Sequence, residues 1–225
     1  MPAPLSIVIP TLNSADQLPA TLACLMEGLE SGLVRELVIS DGGSSDASMT
    51  IADEMGAKLV TGATGRGGQL KRGALAAAGD WMLILHADTH LSSGWAAVVQ
   101  AHIQTSVNAG YFKLRFRANG FRPRFFEAGA NLRSRLGLPY GDQGLLISRK
   151  LYDSAGGFQD IALMEDVAMV KTLRGRLGML PTSAHTDPAR YQQHGWYRRG
   201  LRNMWTLLLY KMGVEPGRLA AYYNR

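Results

Sequence analysis

In Asp80-Trp81-Met82-Leu83-Ile84-Leu85-His86-Ala87-Asp88-Thr89-His90 an apolar run meets a polar cluster. Trp81 to Leu85 are five consecutive apolar residues, too few for an independent helix and preceded by Gly79-Asp80. Such a run predicts a strand buried on both faces, in the middle of a parallel sheet. At its C-terminal end the polarity reverses to His86, Asp88 and His90. In open α/β sheets ligands sit outside the carboxyl ends of the strands, so groups delivered here can meet one. An apolar strand followed by His-x-Asp suits a divalent cation that holds phosphate oxygens. The competing reading is that Asp88 or Thr89 caps the next helix.

Upstream, strands and helices alternate in the same rhythm. Leu5-Ser6-Ile7-Val8-Ile9-Pro10 predicts a first strand, stopped by Pro10 and followed by the polar turn Thr11-Leu12-Asn13-Ser14. Leu18, Leu22, Leu25 (or Met26) and Leu29 form one helical face, and Gly32 ends that helix. Glu36 to Ser40 predicts a second strand, delivering Asp41-Gly42-Gly43-Ser44-Ser45-Asp46. The glycines permit a tight turn, and Ser45 or Asp46 can cap a helix running towards Met55. Lys58 to Thr61 is a short third strand. Gly62-Ala63-Thr64-Gly65-Arg66-Gly67-Gly68 then loops into a helix over Gln69 to Ala78. The first ninety residues thus predict a doubly wound, nucleotide-binding half-sheet. The glycine-rich loop completes neither Gly-x-Gly-x-x-Gly nor a P-loop. It reads either as a flexible loop before a capped helix or as a phosphate contact helped by Arg66, Lys71 and Arg72.

Downstream the rhythm changes. Ser92 or Ser93 can cap a helix with Trp95, Val98, Val99 and Ile103 on one face. Tyr111 to Arg117 alternates strictly, predicting a one-faced, antiparallel-type strand with Lys113, Arg115 and Arg117 on its exposed side. Phe121 to Leu138 interleaves Arg122, Arg124, Arg133 and Arg135 with Phe125, Phe126, Leu132 and Leu136. This is a basic amphipathic helix packed on a core, or else a lid or surface for an anionic or lipid-linked ligand. Tyr140-Gly141-Asp142-Gln143 precedes a strand over Gly144 to Ser148, and a short helix leads to Gly156-Gly157-Phe158. Leu163-Met164-Glu165-Asp166-Val167 opens a helix with Val167, Val170, Leu173 and Leu177 inward. The helix dipole alone would favour two carboxylates at that N-terminus. The tail, Trp196 to Tyr210, mixes Arg198, Arg199 and Arg202 with Trp205 and Leu207-Leu208-Leu209. It is expected to pack on the domain or a second subunit, with an in-plane membrane contact as the alternative.

Composition sets outer limits. The 225 residues, 46% hydrophobic and 19% charged, fit one large α/β domain or two small ones; with no linker or repeat, residues 1–225 are expected to form one. The formal charge of +6 favours anionic ligands or an anionic surface. No RNA-binding aromatic motif or zinc-finger spacing occurs, so nucleic acid is not an expected partner. Cys24 is the only cysteine, which excludes an internal disulfide and suggests a reducing cytosol. Met1-Pro2-Ala3-Pro4-Leu5-Ser6 carries no basic region, so no secretory signal is expected. No run reaches the roughly 18 apolar residues of a spanning helix.

Taken in order, Ile7-Val8-Ile9-Pro10-Thr11-Leu12-Asn13, Asp41-Gly42-Gly43-Ser44-Ser45-Asp46, Arg72, His86-Ala87-Asp88, Gly156-Gly157-Phe158 and Glu165-Asp166 resemble family 2 glycosyltransferases of the glycosyltransferase-A fold. The resemblance covers nearly the whole chain. Leu85-His86-Ala87-Asp88-Thr89, Gly141-Asp142-Gln143 and Leu219-Ala220-Ala221-Tyr222-Tyr223 are similar to a bacterial subfamily, the radical-SAM/selenodomain-associated glycosyltransferases. The resemblance implies an α/β, Rossmann-like, mostly parallel sheet flanked by helices, with antiparallel strands in the second half and a helical C-terminal tail. It implies that residues 1–90 bind the nucleotide sugar, 91–195 carry the acceptor and catalytic groups, and 196–225 form the tail.

The implied reaction moves a sugar from a nucleotide-diphosphate sugar to the hydroxyl of an undefined acceptor, lipid-linked ones included. Pro10, Thr11, Asn13 and Asp41 would line the nucleoside pocket, Asp41 accepting from the base. Arg72 would lie near the nucleotide, and Arg190, within Arg190-Tyr191, near the leaving group. Asp88 would bind the Mn2+ or Mg2+ that bridges the diphosphate. His86 stands where the family usually has the first Asp of Asp-x-Asp, and imidazole suits Mn2+ better than Mg2+. Asp166 would be the general base, with Glu165 beside it. A cation on Asp88, helped by Arg72 and Arg190, would neutralise the leaving group. One carboxylate base with no second nucleophile implies direct displacement with inversion. A nucleotidyltransferase would use a similar sheet and metal, but no Gly-x-Gly-x-Arg-type loop follows the first strand. A non-catalytic sugar-nucleotide-binding module would not need both Asp88 and Asp166. The expected location is the cytosol, with the inner membrane face as a peripheral contact.

Overall fold

The structure, a computed structural model, describes residues 3–223. Met1 and Pro2, which begin the N-terminus read above as lacking a signal, and Asn224 and Arg225 lie outside the described residues.

Alternation along the first strand settles which side chains meet which layer. Leu5, Ile7 and Ile9 of β1 (Leu5–Thr11) join one apolar cluster, while Val8 joins the other, on the opposite face. β1 lies between β2 (Val34–Asp41) and β4 (Trp81–Ile84), parallel to both, and β3 (Lys58–Thr61) runs parallel beside β2. Chain order therefore reverses at β1, which opens a crevice at the carboxyl ends of β1 and β4. Met82, Leu83 and Leu85 have no solvent exposure, and burying each such side chain contributes about 1.5–3 kcal/mol. The helices α1 (Leu18–Glu30) and α2 (Ser48–Glu54) pack on one face, and α3 (Arg66–Ala76) on the other.

The second half extends the same sheet. β7 (Leu145–Ser148) pairs antiparallel with β4, and β6 (Ala109–Phe116) meets β7 antiparallel at Gly110 and Leu146. β6 then runs parallel to β8 (Leu177–Thr186), and β5 (His90–Leu91) pairs antiparallel with β8. The order is β3-β2-β1-β4-β7-β6-β8-β5. The remaining helices are α4 (Trp95–Thr105), α5 (Phe121–Arg135), α6 (Arg149–Ser154), α7 (Glu165–Thr172), α8 (Ala189–His194), α9 (Trp196–Lys211) and α10 (Pro216–Tyr223), with a 3-10 turn at Gly141–Gln143. Among the described residues, no helix is long and apolar enough to cross a membrane.

Several local expectations are corrected. Leu177 does not face inward from α7, which ends at Thr172; it opens β8, a strand the sequence did not suggest. The strand over Tyr111 to Arg117 is mainly parallel-paired, and its cationic side is partly covered rather than open. α4 starts at Trp95 and is capped neither by Ser92 nor by Ser93. The Glu27 carboxylate of α1 accepts from the Gly94 and Ala96 amides, each at 2.9 Å. α3 begins at Arg66, three residues ahead of the expected start. α5 packs on the sheet through polar residues: Asn131 Oδ1 accepts from Leu114 N–H at 2.8 Å, and Glu127 Oε1 from Phe116 N–H at 2.9 Å.

Candidate functional site

A cleft of about 630 Å³ opens at the carboxyl ends of β1 and β4. Pro10, Thr11 and Asn13 line it from the β1 exit, and His86 and Asp88 from the β4 exit. Glu165 and Asp166 reach it from the start of α7, and Arg190 from α8. Asp41 and Arg72 are not among the lining residues.

The β1 and β2 exits are tied together by short polar side chains. Asn13 is left-handed (φ 50°), a conformation Asn tolerates, and its Oδ1 accepts from Ser45 N–H at 2.9 Å. Asp41 sits behind this loop, 1% exposed, accepting from the Thr11 and Ser44 hydroxyls and from the Gly43 and Ser44 amides. Burial alone would raise its carboxyl, but these hydrogen bonds outweigh burial and hold it below the usual range. Asp41→Asn is expected to lower stability by about 1–2 kcal/mol at neutral pH. Because the folded pKa is depressed, that advantage of Asp41 is lost as pH falls through it, so the two proteins converge in acid. Urea unfolding at both pH values checks this.

Arg72 donates to Ala63 O at 2.9 Å and lies against Gly62, where a Cβ would come within 2.6 Å of its guanidinium. The glycine-rich loop divides in function. Thr64, Gly65 and Arg66 line the cleft, whereas Gly67 allows close packing of α3 on residues 159–161: a Cβ there would lie 2.5 Å from Gln159 O.

At the β4 exit, Thr21 Oγ1 donates to Ala87 O at 2.6 Å and Thr89 N–H to His86 O at 3.2 Å, fixing a tight corner. Since α4 is capped by Glu27, Asp88 is not used as a helix cap. Burial, with Arg66 and Arg190 nearby, holds the His86 pKa well below its ordinary value, so the imidazole is neutral. A Cβ on Gly141 would stand 2.6 Å from its Nε2, so the ring packs on the backbone of the 3-10 turn.

That turn also holds one of the two adjacent carboxylates, Asp166. Asp166 Oδ2 accepts from Gly141 N–H at 2.8 Å and its Oδ1 from Val167 N–H at 2.7 Å. Glu165 is buried, and burial followed by the Asp166 charge pushes its pKa up, against Arg66 at 3.7 Å. Met164, just before the pair, is left-handed (φ 68°), a conformation that costs a non-glycine residue about 1–3 kcal/mol and clusters at working sites.

Residues 6–157 match the family described as Glycosyl transferase family 2. The chain belongs to that family. Curated relatives that match include the PGL/p-HBAD biosynthesis glycosyltransferase of Mycobacterium tuberculosis, 38% identical over a 99-residue alignment that covers 40% of this chain. The match spans only 38% of that relative's own length. Among solved structures, the mannosyltransferase PcManGT from Pyrobaculum calidifontis in complex with GDP-Man and Mn2+ aligns with a TM-score of 0.67 and 16% identity. It covers 98% of this chain and 68% of that one. S. aureus TarS 1-349 aligns with a TM-score of 0.62 and 16% identity, covering 98% and 70%. These likenesses show the glycosyltransferase-A fold.

For a family 2 chain, the most informative residue that sequence reasoning left without a role is Asp142. Burial raises its carboxyl to about 6 against Arg133, with Asp166 and Asp88 adding to the rise. Gly141-Asp142-Gln143 now reads residue by residue. Glycine admits the His86 ring, Asp142 lines the cleft, and Gln143 anchors the turn by donating to Phe112 O at 2.9 Å. Arg199, Asn203 and Tyr223 form a further wall, joined by hydrogen bonds from Arg199 to the Tyr223 hydroxyl and from that hydroxyl to Asn203. Arg199 and Asn203 are four apart on a helix, a spacing that could have marked them as one polar strip.

Asp88 Oδ1 and Asp142 Oδ1 are buried and meet no hydrogen-bond donor of the protein. Both are hard carboxylate oxygens, which fit Mn2+ or Mg2+. Among the described residues no three His, Cys, Asp or Glu side chains converge as an ion cage. The residues therefore suit an ion held by one or two carboxylates and completed by ligand oxygens, the usual manner for Mg2+ with phosphates.

Proposed function

We propose that this chain is a metal-dependent glycosyltransferase. In this reading a sugar moves from a nucleotide-diphosphate donor to an acceptor hydroxyl with inversion, and Asp166 is the general base. The observation that carries the reading is the Asp166 carboxylate, held by two main-chain amides at the cleft wall, in the same cleft as the donor-free oxygen of Asp88. A base so held keeps one geometry while it takes the acceptor proton. The donor lies along the β1 and β4 exits, its nucleoside towards Thr11 and Asn13 and its diphosphate towards Asp88 and Arg190. Arg72 and Asp41 support that end from behind, Asp41 by shaping the Ser44 loop. Asp88 would hold Mn2+ or Mg2+ together with oxygens of the donor, with His86 and Asp142 lining the same cleft, and the ion would supply neutralisation of the leaving diphosphate. Solved neighbours bind UDP-GlcNAc or GDP-Man, in the second case with Mn2+, so both base types belong in the test. The narrower resemblance to the radical-SAM-associated subfamily is part of this proposal and leaves the acceptor open.

Calorimetry with UDP- and GDP-sugars, with and without Mn2+, tests the donor site. The true donor at a hundredfold excess over Kd should raise stability by about 2.7 kcal/mol. Asp88→Ala should lose the metal-dependent part of binding, tenfold or more, and keep the metal-independent part. Metal-dependent affinity unchanged in Asp88→Ala would remove Asp88 from the ion site.

A further inference from the structure

Two neighbouring helices bury polar residues beside a small apolar cluster, in which Phe126 and Ala130 of α5 pack with Trp196 of α9, and each leaves an apolar stripe outside. α9 buries Trp196, Arg199 and Thr206. Its opposite face carries Tyr197, Leu201, Met204, Trp205 and Leu208, and Met212 follows at its C-cap, all exposed. These residues recur at steps of three and four and form one stripe at the helical period. α5 repeats the pattern. Glu127, Asn131 and Ser134 are buried, while Phe121, Phe125, Leu132 and Leu136 are exposed, Phe121 and Leu136 by 76% each. The two stripes join through Phe126, whose ring lies 5.4 Å from Phe125 and 5.7 Å from Tyr197. An exposed apolar surface continuous across two helices marks a contact site.

Charge selects the occupant. Arg122, Arg124, Arg135, Arg198 and Lys211 are exposed on these helices. The only acidic residue on either, Glu127, is buried and paired with Arg115 at 2.8 Å. An apolar ridge whose two helices expose cations and no carboxylate is how a helix lying in the plane of an anionic bilayer is built, with arginine stems crossing to the headgroups. A two-fold contact between copies would instead press this positive charge against itself. We propose that α5 and α9 together form a seat on an anionic lipid bilayer. α9 is then a wall of the cleft on one side and part of the membrane seat on the other. That arrangement suits an acceptor carried by a lipid, a corollary that rests on the transfer reading, whereas the seat itself does not.

The test is sedimentation of the purified chain with phosphatidylcholine vesicles, with and without phosphatidylglycerol, at low and high salt. Each basic side chain near an anionic surface raises partitioning roughly fivefold, so the phosphatidylglycerol vesicles should bind tenfold or more protein at low salt. High salt should release it. Combined Leu201→Ser and Trp205→Ser should weaken binding at least about tenfold. Arg122→Gln, Arg124→Gln and Arg198→Gln together should remove the preference for phosphatidylglycerol. Both variants change exposed side chains, so melting temperature and donor affinity should match wild type, which separates a failed seat from a failed donor site. Absence of vesicle binding at low salt overturns the proposal. So does light scattering that finds a dimer which Leu201→Ser with Trp205→Ser converts to monomer, because the stripe would then cover a second copy.

Discussion

Asp166→Asn will leave donor affinity within a few-fold of wild type and lower kcat by about 10²–10⁴-fold. The amide keeps the shape of the side chain and an oxygen to accept from Gly141 N–H, which holds the turn, while the bond from Val167 N–H is lost at a cost of about 1 kcal/mol of stability. What disappears is the capacity to take a proton. Glu165→Gln should lower turnover less, because Glu165 is buried against Arg66 and acts through that partner's position. A purely structural role at the start of α7 predicts another pattern, in which both substitutions shift the melting temperature and neither changes turnover of the folded fraction. Single-turnover rates, donor Kd and melting curves for the two variants separate these outcomes. Wild-type kcat in Asp166→Asn would end the proposed mechanism.

The second large effect is on stability and depends on pH. Burial raises the Asp142 carboxyl to about 6, so the folded protein keeps a proton that the unfolded chain releases near its ordinary value. Ionising Asp142 inside the fold therefore weakens the folded state. That penalty is absent below the unfolded pKa, grows as pH rises and is complete above the folded one. Its size is on the order of 2–3 kcal/mol. Asp142→Asn should accordingly unfold at higher urea than wild type at pH 8 in the presence of chelator, and at the same urea near pH 4. An equal gain at both pH values would assign the effect to shape instead of charge. Turnover should fall in the same variant, since Asp142 shares the cleft with Asp88 and Asp166.

The parallel half of the fold was legible because each strand is a short apolar run ending in a polar turn. Trp81 to Leu85 announced a strand buried on both faces, and the β4 exit delivered His86 and Asp88. But β4 closes the parallel half instead of lying inside it, because β7 pairs with it antiparallel. β8 was hidden for a physical reason. Opposite Tyr111 and Lys113 it pairs through Met179 and Ser183, so Leu180, Pro181 and Thr182 form an irregularity that breaks any alternation. Proline is tolerated there because the residues are out of the ladder. Missing β8 also sent Leu177 to the wrong element. For α5 and α9 the helical period was readable but its sense was not. An apolar stripe is ordinarily the inward one, and only the backbone groups of β6 reveal why Glu127 and Asn131 turn in. Asp142 was invisible as a cleft residue because its setting comes first from burial, which only the folded chain creates, and then from Arg133 and from carboxylates distant in sequence.

The clamp on Asp166 has a consequence for how this protein can change. One of its two amides belongs to Gly141, and a main-chain N–H cannot be altered by exchanging side chains, except by proline, which lacks it. Nor can residue 141 acquire a side chain without displacing the His86 ring. Random mutagenesis thus has almost no route to adjust the hydrogen bonding of the Asp166 carboxylate by small steps at this position. Variation in activity would have to arise by moving the whole turn, through Gln143 and its hold on Phe112 O, or in the acceptor's own surroundings. In a laboratory evolution experiment, beneficial substitutions are therefore expected at the supports of the turn and along the outer walls, while position 141 stays glycine.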